Sequence, residues 1–145
     1  MSPTIVQWLV SKFGTRQYVG PFTAPGAAGV TAASQSNLDC RYSHIAAATA
    51  TSFVATRPGS IVGVSAQLSA AITGAGTSIV VSVTKNGTEV ACTASLTQAG
   101  AETKAYGTAA KGTLTFDAGD VLGISYTSTG ISNTPTLVAT LEIES

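Results

Sequence analysis

"VSVTKNGTEVACTASL", residues 81–96, decides the fold class. Val81 and Val83, preceded by Ile79, alternate with Val80, Ser82 and Thr84, and Val90, Cys92, Ala94 and Leu96 resume the alternation beyond Asn86-Gly87. A period of two places successive side chains on opposite faces of a strand. Asn-Gly supplies the two positive φ angles of a type I′ turn, so the stretch predicts a tight antiparallel hairpin. No catalytic constellation accompanies it.

Outward from the hairpin the same period recurs. Val62, Val64, Ala66 and Leu68 are expected on one face, opposite Gly63, Ser65 and Gln67. "GTLTF" and "VLGISY" flank a "DAGD" turn, and "TLVATLEIE" places Leu137, Ala139, Leu141 and Ile143 inward with Glu142 and Glu144 outward. "TATSFVAT" reads as a further strand stopped at Arg57-Pro58-Gly59. Upstream, "GPFTAPGAAGVTAASQSN" reads as a long connection between short strands near "RQYV" and "CRYSHIA". No helical period competes, so an all-β antiparallel sandwich or barrel is expected. A chain of 145 residues suits one domain. Residues 1–16 are expected as an amino-terminal arm carrying Ile5, Trp8, Leu9 and Phe13, with the sandwich over 17–145. An arm that short cannot fold alone. It adds a strand or plug to its own sandwich or docks on a neighbouring subunit.

Composition narrows the function classes. Seven basic and seven acidic residues cancel, and charged residues are 10% of the chain against a usual share near a quarter. No field gathers phosphates, so no nucleic-acid partner is expected. "IVQWLV" is too short to span a membrane and lacks the features of a secretion signal, which implies synthesis in the cytoplasm and no membrane partner. Cys40 and Cys92 do not make a disulfide framework.

Candidate chemistry is sparse. His44 lies near Asp39 and Cys40, but on an extended segment Cys40 and His44 sit about 13 Å apart, beyond a shared proton or metal. Serine and threonine nucleophiles lack a GxSxG elbow. Asp117 and Asp120 bracket a turn, where two carboxylates fall short of the six to eight oxygens calcium takes; their expected role is to accept turn amides. Gly74-Ala75-Gly76 has no Walker lysine and reads as a loop. Tyr18, Tyr42, Tyr106, Tyr126 and Trp8 are scattered, with Tyr126 on the apolar face of its strand beside Leu122 and Ile124. No enzyme, cofactor or metal is expected.

The succession "ATSFVATRPGSIVGVSAQLS", "VSVTKNGTEV", "GTLTFDAGDVLGISY" and "TLVATLEIE", over about residues 50–145, resembles the jelly-roll domains of tailed-phage virion proteins, notably capsid decoration or cement proteins and some tail-fibre heads. The "KNG" hairpin followed by an "AGD" turn is also similar to the trimeric jelly rolls of the C1q and tumour necrosis factor group, although this chain lacks that group's collagen-like stalk and aromatic core density. The resemblance implies a jelly-roll β-sandwich of eight to ten strands that assembles as a homotrimer. It further implies docking on the major capsid protein at the outer surface of a phage head, with Ile5, Trp8, Leu9 and Phe13 of the arm as partner contacts. The alternative it implies is a receptor-binding or glycan-binding head module of a tail fibre.

Overall fold

The computed structural model describes residues 16–23, 35–40 and 53–145. Ten strands follow in chain order: β1 (Arg16–Thr23), β2 (Gln35–Cys40), β3 (Phe53–Val54), β4 (Gly59–Leu68), β5 (Ser78–Lys85), β6 (Thr88–Thr97), β7 (Lys104–Thr108), β8 (Thr115–Phe116), β9 (Val121–Thr129) and β10 (Leu137–Glu144). Among the described residues there is no helix, and so none long and apolar enough to cross a membrane. Every pairing is antiparallel. One sheet runs β1-β10-β4-β7 and the other β2-β9-β5-β6, with β8 added on β4 and β3 on β9. The two pack face to face as a β-sandwich, as the alternation requires.

A short ladder pairing Phe22 with Cys40 and Thr23 with Asp39 carries the first sheet into the second. On the opposite side β6 and β7 meet without a ladder. An added Cβ on Gly107 of β7 would lie 1.8 Å from the carbonyl oxygen of Thr93 in β6, so glycine alone lets the two backbones approach so closely. The core fills the space between the sheets. Ile61, Val64, Leu137, Leu141 and Phe22 of the first face Ile79, Val81, Leu96, Leu122 and Ile124 of the second, all nearly inaccessible to water.

The turn of the hairpin of residues 78–97 forms as read, with Asn86 and Gly87 at φ of 51° and 80°, while its ladder shifts register between Ser82 and Thr84. Tyr126 is buried with Leu122 and Ile124, and Gly74–Gly76 is a loop. Four features differ from the sequence reading. In β4 the register slips against β10, so that Gly63 pairs with Glu142 but Ile61 with Ile143. A bulge re-aims side chains, and Ile61 joins the core in phase with Val64 whereas Val62 is left out of it. Glu144 faces outward from β10 yet is 4% exposed, because Lys111 and Arg16 close over its carboxylate. β2 spans Gln35–Cys40, so it takes up the last three residues of the stretch read as a connection and ends at Cys40, where the next short strand is expected to begin, while residues 41–52, with Tyr42 and His44, fall outside the described residues. β7 is a strand with no counterpart in the sequence reading, since "KAYGT" is short and interrupted by glycine. The arm contacts Ile5, Trp8, Leu9 and Phe13 also lie outside the described residues, and β1 begins at Arg16, the residue assigned last to the arm.

Candidate interaction face

The outer face of the β1-β10-β4-β7 sheet carries the two most exposed large apolar side chains among the described residues. Tyr18 of β1 is 73% exposed and Tyr106 of β7 is 80% exposed. Their positions follow from register. Tyr18 pairs with Glu142 and Glu142 with Gly63, while Thr140 pairs with Ser65 and Ser65 with Tyr106. The two rings therefore stand on neighbouring rows, three strand spacings or about 14 Å apart across the sheet. Between them the floor is Gly63, Ser65 and Thr140, all small, which leaves a trough of ≈ 250 Å³ between the tyrosines. A second depression of ≈ 440 Å³ continues it past Tyr106 to Gln67, Val138 and Lys104.

Charge on this face is sparse: Glu142 lines the trough and Lys104 lines the second depression. Glu142 is occupied by Arg16, whose Nη1 lies 3.3 Å from Glu142 Oε1. Lys104 stands at the start of β7. The centre offers hydroxyls, backbone and aromatic rings. Such a surface has few ions to dehydrate, and Glu142 keeps Arg16 as its partner when the face is covered.

A second cluster joins the "KNG" and "DAGD" turns at one end of the sandwich. Asn86 Nδ2 donates to Asp120 Oδ1 at 2.8 Å, and the Val121 amide donates to Asn86 Oδ1 at 2.8 Å. Asp120 Oδ2 accepts the Asp117 amide at 2.9 Å, and Lys85 Nζ donates to the Thr115 carbonyl at 3.0 Å. Asp120 thus serves its turn, as the sequence reading expects of it. The Asp117 amide, the Asn86 side chain and the charge of Lys85 hold its carboxyl below the ordinary value of 3.8. A depressed folded-state pKa contributes stability above the ordinary value, and that contribution is lost as pH falls through the folded value. The stability gap between the parent chain and Asp120→Asn is therefore expected to be present at pH 7 and to close in acid below pH 3.8. Urea unfolding across that range measures it, and a gap independent of pH would refute the assignment.

Cys92 is a free, buried thiol whose pKa is raised by burial, which disfavours the reactive thiolate. Among the described residues no group of three or more His, Cys, Asp or Glu could hold a metal ion. Along the chain the tyrosines are scattered; only strand order brings Tyr18 and Tyr106 to one face, and spacing carries no signal of it. Neither a protein-family model nor a curated protein matches this chain.

Proposed function

We propose that this chain is a structural virion protein, a capsid decoration or cement subunit that assembles as a homotrimer and binds the major capsid protein on the outer surface of a phage head. The observation that carries the reading is the sparsely charged face between Tyr18 and Tyr106, where Glu142 is the one ionisable group lining the trough besides the tyrosines and is paired with Arg16. Tyrosines are enriched at protein interfaces, where they bury large area at small entropic cost. A trough beside a projecting ring on the same face suits contact between identical copies: Tyr106 of one copy fills the hollow beside Tyr18 of the next. Such a contact joins unlike surfaces and closes into a ring when its rotation is a third of a turn.

The strand order also supports the resemblance. With β3 and β8 set aside, β1-β10-β4-β7 faces β2-β9-β5-β6, and the chain changes sheet at every step except β5 to β6. We read this as the jelly roll of two Greek keys. In an assembled trimer three capsid contacts act together, so a weak single contact becomes durable.

Sedimentation at micromolar concentration is expected to give a trimer that also sediments with phage heads. Tyr106→Arg is expected to weaken assembly at least tenfold, since an interfacial tyrosine anchor is worth about 2 kcal/mol. Its fold is expected to persist, because the side chain lies outside the core. A monomeric parent chain would end the trimer reading.

The second reading is a glycan-binding head module. Two exposed rings over a hydroxyl-lined floor also fit the apolar face of a sugar. Glycan-array binding lost in both Tyr18→Ala and Tyr106→Ala, without binding to phage heads, would favour it.

A further inference from the structure

A hollow of ≈ 300 Å³ opens where β1 begins and β10 ends. Phe53, Ala55, Phe116 and Ile143 supply its apolar surface, with Gln17 and Arg57 among its other lining residues. Phe116 and Ile143 are buried and Phe53 half-buried, so the hollow is an aromatic-walled recess continuous with the core.

Its position along the chain supplies the second observation. Gln17, which lines the recess, is the second residue of β1, and residues 1–15 enter the strand directly ahead of it. Those residues contain Ile5, Val6, Trp8, Leu9, Val10 and Phe13 against one charge, Lys12. Phe13 is separated from Gln17 by four peptide units, at most about 14 Å of extended chain. Gly14 lies between them, where a reversal of direction is sterically easiest. A tether that short gives an effective concentration of about millimolar or more, above any that a second copy reaches in dilute solution.

We propose that residues 1–15 dock on their own sandwich, with the ring of Phe13 seated in the recess between Phe53 and Phe116. The recess takes an aromatic side chain, and the occupant is supplied in cis. This goes beyond the assembly reading and stands without it. Any outside partner that takes hold of Ile5, Trp8 or Leu9 must compete with this contact.

The test uses the full chain with its single indole moved to position 13, as Trp8→Phe/Phe13→Trp. Its fluorescence is expected at shorter wavelength than that of free tryptophan, shielded from iodide and independent of protein concentration. Adding Phe53→Ser, or separately Thr56→Arg at the rim, is expected to shift the emission to the red and raise quenching several-fold while circular dichroism retains the sheet signal. Emission of a solvated indole in the parent double variant overturns the proposal, as does emission that neither recess substitution alters. A blue shift that develops only as concentration rises would place the segment on a second copy and overturn the cis assignment. Sedimentation of the same samples reads assembly separately, so the two readings fail independently.

Discussion

Replacing Gly107 with alanine should cost about 4 kcal/mol or more, or leave no folded protein, which is at the extreme of single-substitution effects. The added Cβ would fall 1.8 Å from the Thr93 carbonyl oxygen and 2.7 Å from its carbonyl carbon. Both obstructing atoms are backbone, so no rotamer change relieves the overlap. β6 and β7 would have to separate, and both are anchored elsewhere: β6 on β5 by its ladder and β7 on β4 from Gly63–Thr108 to Gln67–Lys104. Separation would open the core beside Cys92 and Ala94, which are 1% exposed. Thr93→Gly should not rescue the variant, because the threonine side chain is not what blocks it. Urea denaturation measures the loss; wild-type stability in Gly107→Ala would mean that β6 and β7 do not close the sandwich.

Replacing Asn86-Gly87 with Val-Val should cost about 4 kcal/mol. Positive φ strains each β-branched residue by roughly 1 kcal/mol or more. Loss of the Asn86 side chain also removes the bonds to Asp120 and to the Val121 amide, each worth about 1 kcal/mol. Asn86→Gly separates the two causes: it keeps the turn geometry and loses only the bonds, so about half of the cost should remain. Stability unchanged in the double variant would remove the turn from its assigned role.

These turns also show how far local sequence reaches. Asn86-Gly87 and the alternation around it are complete within sixteen residues, and the hairpin is legible for that reason. β10 is legible in its inward positions, where Leu137, Ala139, Leu141 and Ile143 are buried. The burial of Glu144 is not, since its cations come from Arg16 and Lys111 on other parts of the chain. Ile61 fails for a related reason: one extra residue in β4 flips the phase, and strict alternation has no term for a bulge. β7 carries too few apolar residues to announce itself and owes its place to β4. The candidate face was legible as residues but not as a surface. Tyr18 and Tyr106 are 88 positions apart, and only the intervening β10 and β4 bring them together. The turn pairing of Asn86 with Asp120 likewise depends on tertiary placement, although both motifs stand out singly.

The strand order ends at β6 on one side and β7 on the other, and those two termini press on each other. An exposed terminal strand is a template on which foreign backbone can accrete. Here each terminal strand masks its counterpart, leaving little purchase for runaway polymerisation between molecules. Copies that approach along this closed side meet side chains in place of an open backbone ladder, in a geometry that evolution can specify residue by residue.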